Sequence, residues 1–469
     1  MSNSWESLVN STSHGLALRV GEDDDSSNAA TDGGDDTVES EDISILNSLI
    51  GHGSPCSLQL RGTIGVESVT PVLQEDGRPK RPQREKSKPV WHKDYRIVTA
   101  SGPGFGDWKC RLATLPFSFG GLGVYYAGDV LNYAFLASRL QSADLQTKLL
   151  RHTGIVSLGP NFDDALSVFN TSMETDLLSN PSEIVAPKLM KKMADIYFTR
   201  VTKNIESIFS LSPRQMALWT SQREDHTSDW LRTVPISGLG QTMNGKTYRC
   251  VLCYRLGIPL FYGSKPCSAC SRVFAGDIYG DHAVSCAGIV GIKHRHNVVR
   301  DTLVDICYRS GISAGKKVDI GLDGGRDKPL RPTDMLLYSW DKGLDVCVDL
   351  TGSSPFTRTG MVNFVPGRVV IDAAQHKRGK YMDKCAAIGY GFLPFSFSSL
   401  GELEADAVTL LKRIRKFSIT QDIGARAAIH IFNRISFAIA KGVGAQIVTD
   451  IRKRKKNEAK RTKPGTRLE

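Results

Sequence analysis

Four potential metal ligands within a short stretch constrain the fold of this chain more than any other feature of its sequence. They are Cys267, Cys270, His282 and Cys286, in the spacing Cys-x2-Cys-x11-His-x3-Cys. Zinc prefers four nitrogen or sulfur ligands in a tetrahedron, and close pairs of such ligands hold it firmly. The stretch must fold back on itself to bring its two pairs together, so the spacing predicts a small zinc site.

A second set of ligands is also possible. Cys250 and Cys253 precede the first set, with 13 residues between Cys253 and Cys267. Together with Cys267 and Cys270 they would form a four-cysteine zinc site. They stand in an apolar segment with helical spacing, which is typical of buried free cysteines, and a site without metal is the third alternative. His294 and His296 could each replace a ligand, although a basic pair also suits a surface that faces solvent or phosphate.

Charge is distributed unevenly along the 469 residues. Residues 1–50 contain eleven acidic residues and one basic residue, a net charge of −10, whereas residues 51–469 carry +21. A segment this basic attracts polyanions, of which nucleic acid is the commonest. We therefore expect DNA as a partner, with RNA as a further candidate.

Composition and hydrophobic periodicity divide the chain into six segments, and the predicted fold class is mixed α+β. The segments are an acidic head (1–76), a basic linker (77–98), a helical region (99–236), a zinc-binding region (237–290), an α-β domain (291–445) and a basic tail (446–469). The head is rich in Ser, Asp and Gly and is predicted to be disordered, because it cannot bury enough apolar surface. The run RKRKKNEAKRTK in the tail suits nuclear import or contact with phosphate.

Several classes of protein are excluded by what the sequence lacks. It has no run of 18 apolar residues, which argues against a membrane span. Its first residues, MSNSWESLVN, have neither the basic nor the apolar part of a secretory signal. We therefore expect a nuclear or cytoplasmic protein whose cysteines are reduced or bound to metal. No Asp-Ser-Gly or Asp-Thr-Gly triplet occurs, so an aspartic protease is excluded.

One glycine-rich string fits a nucleotide-binding motif. Residues 240–247 match the P-loop pattern G-x4-G-K-T, in which backbone amides and a lysine, here Lys246, hold phosphates. The preceding VPISGL is not a clear β-strand, and the following helix runs directly into a cysteine cluster. ATP hydrolysis is therefore the weaker alternative.

The α-β domain has a regular order of predicted elements. They are a helix (296–310), a strand (316–321), a hairpin (333–351), a helix (371–387), a strand (391–398) and two helices (402–416 and 421–441). This αβββαβ order is that of the restriction-endonuclease-like core.

The predicted hairpin brings two carboxylates together. If Asp341 and Lys342 form a two-residue turn, Asp334 lies opposite Asp349, with Cβ atoms about 5 Å apart. Two carboxylates so close repel one another, and a divalent cation between them reverses the sign of that interaction. If Gly343 instead forms a bulge, the register slips and the two side chains no longer share a face.

Three lysines follow on the next predicted helix. Lys377, Lys380 and Lys384 are spaced so that they share one face. Such a face is usually solvated. Beside two carboxylates and a metal, the same face could hold an attacking water and the scissile phosphate.

Several ordered motifs together resemble a known family. They are the Cys267–Cys286 set, RHN at 295–297, RPTD at 331–334, DVCVDL at 345–350 and K-x2-K-Y at 377–381. This series resembles the C-terminal half of certain non-LTR retrotransposon proteins, in which a Cys-Cys-His-Cys knuckle precedes a restriction-like PD-(D/E)xK endonuclease.

The resemblance implies strand nicking of DNA and assigns a role to each motif. Asp334 and Asp349 would bind Mg²⁺ and the knuckle would bind structural Zn²⁺. Thr351 stands where the motif lysine belongs, so Lys377 or Lys380 would replace that lysine from the next helix. The residues implied to contact the nucleic acid are Arg331, Arg295 and Lys384.

Two further stretches resemble parts of retrotransposon polyproteins. Residues 115–140 resemble the segment after the polymerase palm of non-LTR reverse transcriptases, and residues 42–65 resemble the stretch ahead of an LTR-element protease. No palm precedes the first stretch, and Asp163 and Asp164 begin a predicted helix instead of lying on a polymerase hairpin. The sequence thus predicts a retrotransposon-derived, zinc-containing DNA endonuclease without polymerase activity. A catalytically dead remnant that binds nucleic acid is the alternative.

Overall fold

A computed structural model provides the structure, which describes most of the chain from residue 106 to residue 461. Residues 1–105 and 462–469 lie outside the described part, as do the internal positions 151–159, 175–187, 262–265, 274–276, 287, 289, 323–332, 357–363, 421–427 and 429. The expectations for the acidic head and the basic linker therefore concern residues outside the described part. Residues from Arg111 onward belong to one unit, and Gly106–Cys110 belong to a second unit.

The described N-terminal part is helical, as its periodicity predicts. Its helices are α1 (Asp107–Thr114), α2 (Ala127–Leu150), α3 (Pro160–Met173), α4 (Leu189–Thr202), α5 (Ile205–Phe209), α6 (Pro213–Gln222) and α7 (Gly245–Leu256). Helix α4 packs on α2 through Tyr133, Tyr197 and Phe198, whose rings lie in contact. The Tyr197 hydroxyl also donates a hydrogen bond of 2.6 Å to Asp129. The predicted helix start at Asp163 and Asp164 is confirmed by α3.

Mixed α and β structure follows. The elements are α8 (Asp281–Ser285), α9 (Val290–Arg309), β1 (Ala314–Lys316), β2 (Met335–Asp341), β3 (Leu344–Ser353), α10 (Arg368–Ala387), β4 (Gly391–Ser398), α11 (Ala405–Thr420) and α12 (Ile431–Arg461). From α9 to β4 the elements follow one another in the predicted order αβββαβ. The mixed fold class is confirmed, with a small four-stranded sheet in a mostly helical structure. No helix in the described part is long and apolar enough to cross a membrane.

The sheet has the strand order β1-β2-β3-β4. The first three strands pair antiparallel, and β4 joins β3 in parallel through the crossover helix α10. Parallel neighbours need such a crossover, because a tight turn can connect only antiparallel strands. Pro394 is tolerated in β4 because this strand forms an edge of the sheet.

The two faces of the sheet have different neighbours, because successive side chains of a strand point to opposite sides. Val346, Val348 and Leu350 of β3 enter the main hydrophobic core, together with buried residues of α9, α11 and α12. On the other face, Cys347 packs with Leu336 of β2 and with buried residues of α10. Residues with the parity of Cys347 therefore face α10.

The hairpin has the expected register, although its turn lies at a different position from the predicted one. Met335 pairs with Val348 and Leu337 with Val346, which is the register predicted from an Asp341-Lys342 turn. The turn itself lies one residue later, because Asp341 pairs with Leu344. A bulge in β2 between Leu337 and Asp341 compensates for that shift. The predicted alternative, a slip that separates the two aspartates, is not observed.

Two predicted boundaries are wrong. The strand predicted at 316–321 ends at Lys316, because Lys317 adopts a left-handed conformation (φ +50°) that breaks the extended backbone. The predicted basic tail begins too early, since α12 continues to Arg461. Gln446 and Asp450 lie on this helix and are buried, so this part of the predicted tail belongs to the folded structure.

Candidate metal centre and carboxylate site

The four predicted zinc ligands lie together. One ligand atom from each of Cys267, Cys270, His282 and Cys286 falls within 4.8 Å of every other. The Cys267 and Cys286 sulfurs are 3.7 Å apart, and Nε2 of His282 lies 3.3 Å from Sγ of Cys270. In a tetrahedral site with Zn–S bonds of 2.3 Å, two sulfurs are about 3.8 Å apart. The cluster could therefore hold a metal ion such as zinc.

Local backbone structure brings these ligands together. Cys267 and Cys270 lie in a turn closed by hydrogen bonds from Ser271 N to Cys267 O (3.1 Å) and from Cys267 N to Arg272 O (2.9 Å). His282 lies on the short helix α8, which ends just before Cys286. Gly280 precedes this helix with φ +92°, a conformation that favours glycine.

The protonation of the ligands is uneven. A hydrogen bond with the Arg272 backbone lowers the pKa of Cys270, whereas burial raises the pKa of Cys286 to about 11 and lowers the pKa of His282. A bound metal requires deprotonated thiolates and a neutral imidazole, so binding would release protons.

The metal cluster is anchored to the long helix α12. Gln446 donates hydrogen bonds to the carbonyls of Ala283 (2.9 Å) and Val284 (3.0 Å) on α8. Ser268, between the first two ligands, donates to the buried carboxylate of Asp450, which also pairs with Arg454. The loop and the short helix are thus held against the same surface.

The alternative four-cysteine set does not form. Cys250 and Cys253 both lie on α7, where Cys253 is buried and Cys250 is partly buried against the main hydrophobic core. Among the described residues, the Cys267–Cys286 set is the one group of three or more Cys, His or acidic side chains whose ligand atoms meet.

The two predicted carboxylates lie side by side on the α10 face of the sheet. Asp349 is on β3, and Asp334 immediately precedes β2, with its backbone N–H donating to the carbonyl of Val348 (3.1 Å). The two carboxylates interact directly. Burial, assisted by the charge of Asp334 and only partly offset by Lys377, raises the pKa of Asp349 to about 6.

Asp334 is held by two donors. Nε2 of His296, on α9, lies 3.0 Å from Oδ2 of Asp334, and the backbone N–H of Leu350 donates to the same oxygen over 2.9 Å. Burial acts to raise the pKa of Asp334, but these hydrogen bonds and the histidine charge outweigh it and lower the pKa. The same contact raises the pKa of His296 against the opposing effect of burial.

Of the three predicted lysines, one meets the carboxylates. Nζ of Lys377 lies 2.7 Å from Oδ2 of Asp349, whose side chain is 5% exposed. Lys377 lies one and two helical turns before Tyr381 and Cys385, and these two residues pack against the sheet. Lys380 and Lys384 are exposed, and the Lys380 ammonium lies 4.7 Å from the centre of the Tyr381 ring.

Of the arginines predicted to contact nucleic acid, one is buried and the other lies outside the described residues. Arg295 is 2% exposed, and its guanidinium donates to the carbonyl of Val284 over 3.4 Å. Because it is enclosed in the core, its predicted contact with substrate is not supported. Arg331 lies outside the described residues.

Sequence reasoning overlooked His296 as part of this site. The signal available was its place in the RHN motif, immediately after a residue that proves to be buried. The spacing of that motif gave no indication that His296 meets an aspartate 38 positions later.

The glycine-rich string at 240–247 leads into the capped N-terminus of helix α7. The 3₁₀ turn Ser237–Leu239 precedes it, and the side chain of Asn244 caps α7 by accepting a hydrogen bond from Thr247 N (2.9 Å). In the described part the first strand begins only at Ala314, so no described strand leads into this string. A P-loop requires that strand.

Comparison with known proteins yields no relative that indicates a function. No protein-family model matches the chain, and no curated protein matches it. A function is therefore argued from the geometry of the two sites.

Proposed function

We propose that this protein is a metal-dependent DNA endonuclease that nicks one strand by phosphodiester hydrolysis. The observation that carries the proposal is the meeting of Asp334, Asp349 and Lys377 at one point of the sheet. Two acidic groups on a β-hairpin with a lysine beside them resemble the constellation of restriction-like nucleases. The order αβββαβ supports the same fold assignment.

The donor set suits a hard divalent cation. Asp334 and Asp349 supply carboxylate oxygens, and Mg²⁺ is commonly bound by one or two carboxylates together with waters and substrate phosphate. Burial raises the pKa of Asp349, and a bound cation would favour the ionised form of this carboxylate. When bound there, Mg²⁺ would neutralise charge that develops on the scissile phosphate.

The surrounding residues have distinct roles in this proposal. Lys377 pairs with Asp349, and from that position its ammonium could contact a phosphate oxygen or the attacking water. His296 and the Leu350 amide hold Oδ2 of Asp334 in place. Lys377 thus takes the place of the motif lysine that is absent at Thr351.

The zinc cluster has a structural role in this proposal. All four of its positions are filled by protein ligands, and a closed site of this kind lacks the open position of catalytic zinc. We further propose that the chain derives from a non-LTR retrotransposon protein, which would account for the knuckle directly ahead of the nuclease fold.

Nicking of supercoiled plasmid tests the proposal. The full chain, loaded with zinc, should convert supercoiled DNA to the open-circular form with Mg²⁺ or Mn²⁺ and not without them. Asp349→Asn should abolish this conversion. Asp372→Asn, at an exposed acid on α10, is the matched control and should retain it. A folded, zinc-loaded protein that does not nick with either metal would overturn the proposal.

A nucleic-acid binder without catalysis is the second candidate. It is favoured by one observation, the near-complete burial of Asp349 beneath Lys377. This alternative predicts DNA binding that does not depend on Mg²⁺ and is unaffected by Asp349→Asn.

A further inference from the structure

A basic cleft lies in the helical region, on elements that contribute nothing to either site described above. It is bounded by the end of α3 and by α4, and its volume is about 900 Å³. Its cationic lining residues are Lys188, Lys191, Lys192, Arg200 and Lys203. Two acids, Glu174 and Asp195, also line it, and Glu174 is paired with Arg200.

The lysines of this cleft are placed at a cost to the helix. Lys188 is the N-cap residue of α4 and has a left-handed backbone (φ +84°), and Lys191 and Lys192 follow in the first turn of the helix; all three side chains are exposed. Cations at the N-terminus of a helix oppose the helix dipole, and like charges that lie close together repel one another. In the described part no ion pair joins these three lysines to an acid, and Asp195, which also lines the cleft, is half-buried. Such an arrangement is explained if an anion occupies the cleft.

The lining residues extend from the N-cap of α4, Lys188, to its C-cap, Lys203, and this length suits an extended anion. Lys188 and Lys203 are 15 positions apart, which corresponds to about 22 Å along a helix. A single phosphate would span only a fraction of that length, whereas a nucleic-acid backbone presents a phosphate at every nucleotide. The apolar residues of the lining are Met173 and Ile196, and no aromatic ring is among the lining residues, so the cleft offers charge and not a platform for base stacking.

We propose that this cleft binds the phosphodiester backbone of a nucleic acid, without reading its sequence. The proposal is independent of the endonuclease, since the carboxylate residues lie on the sheet, α9 and α10. Phosphate contacts position a protein on its target and carry no sequence information directly. The cleft would therefore hold the chain on nucleic acid while another surface selects the site.

Binding measured by fluorescence anisotropy tests the cleft. The full, zinc-loaded chain is titrated without added Mg²⁺ against a labelled oligonucleotide as single-stranded DNA, as RNA and as duplex DNA, over a range of salt concentrations. The test variant carries Lys188→Ala, Lys191→Ala and Lys192→Ala. The matched control carries Lys412→Ala, Arg415→Ala and Lys416→Ala, which removes three exposed cations of the same spacing from α11.

The two variants should behave differently. In the test variant, the slope of log K against log salt should fall by about 3, and the affinity at low salt by about tenfold or more, alike for every sequence. The control should change the slope by less than about 1. Comparison of DNA, RNA and duplex then identifies which source of backbone the cleft prefers.

Stability separates loss of the ligand site from loss of the fold. Removing like charges should leave the melting temperature unchanged or raise it. A charge-conserving variant, Lys188→Arg, Lys191→Arg and Lys192→Arg, should retain binding. Equal effects of the test and control variants, or undiminished binding by the test variant, would overturn the proposal. Because no Mg²⁺ is added, the result does not depend on whether the chain cuts DNA.

Discussion

The zinc cluster and the carboxylate site differ in how far their residues are spread along the chain. The four zinc ligands come from one loop and one short helix, between Cys267 and Cys286. The carboxylate site draws on α9, the start of β2, β3 and α10, from His296 to Lys377. The first site needs only local folding and a metal, whereas the second needs the whole sheet and its register.

This difference teaches what each site contributes to the fold. A metal bound by local ligands stabilises a segment that has little core of its own, and here the buried residues of the segment's small cluster are Cys267, Ala283 and Cys286. The carboxylate site contributes no such stability, because it places two like charges together in a buried position. We therefore expect loss of the zinc ligands to affect folding, and loss of the carboxylate-site residues to affect catalysis.

The largest effect should follow loss of a zinc ligand. Cys270→Ser should release zinc and unfold the segment from Cys267 to Cys286, because structural zinc contributes on the order of 10 kcal/mol to folding in small zinc domains. Elemental analysis should find one zinc per wild-type chain and a greatly reduced content in the variant, with faster proteolysis of the segment.

Cys250→Ser is the control for the zinc prediction. It belongs to the alternative four-cysteine set and should retain zinc. Zinc lost from Cys250→Ser but kept in His282→Ala would support that alternative set instead. Asp334→Asn should also retain zinc, which would confirm that the two sites fold separately.

A smaller effect, confined to catalysis, should follow loss of Lys377. Lys377→Ala should lower the nicking rate by about 10²- to 10³-fold, the usual effect of removing one preorganised donor. Lys380→Ala, at an exposed position one turn away, should change the rate by only a few-fold. Single-turnover nicking rates on plasmid DNA at saturating Mg²⁺ measure the effects of both substitutions. Equal losses in the two variants would contradict the assignment of the site lysine to Lys377.

His296 should have the next smaller effect, through its hold on Asp334. His296→Ala should raise the Mg²⁺ concentration at which nicking is half-saturated by about 10- to 100-fold, the usual effect of removing a residue that orients a metal ligand. His296→Gln retains a donor at the place of Nε2 and should restore most of the loss. A Mg²⁺ titration of the rate shows this as a shift in the half-saturating concentration. An unshifted midpoint in His296→Ala would show that Asp334 does not need this partner.

The sequence predicted the elements of the fold well where periodicity decides. Strand β4 is observed at the predicted residues 391–398, and α10 begins three residues before the prediction. The errors occurred where one residue overrides the pattern, as at Lys317, whose left-handed backbone ends β1. The predicted register was correct although the turn was misplaced, because a bulge that the sequence does not mark absorbed the difference.

The two sites were predictable to different degrees for a physical reason. Spacing alone brings the zinc ligands together, so the metal cluster could be read from the sequence. The choice of Lys377 over Lys380 depends on which side of α10 faces the sheet, and the roles of His296 and Arg295 depend on how α9 packs. Periodicity assigns residues to a face but does not identify what that face meets.

The smallest expected effect is a pH dependence of stability. The pKa of Asp349 is raised to about 6 in the folded protein, above its ordinary value of 3.8. The folded state therefore binds more protons than the unfolded state between these values, and the free energy of unfolding should fall as pH rises from 4 to 6. A shift of this size corresponds to at most about 3 kcal/mol. The lowered pKa of Asp334 has the opposite effect on the free energy of unfolding. That effect occurs only at pH values below the ordinary pKa of 3.8, outside this window.

Asp349→Asn isolates this contribution. The variant should be more stable than wild type at pH 7, by at most about 3 kcal/mol, and the two proteins should converge towards pH 4. Urea unfolding at several pH values measures the difference. Added Mg²⁺ should stabilise the wild type and not the variant, because a cation bound at the carboxylates favours their ionised form. A variant that is less stable than wild type at pH 7 would show that the Lys377–Asp349 ion pair outweighs the burial of charge, and that the carboxylate site contributes to folding as the zinc cluster does.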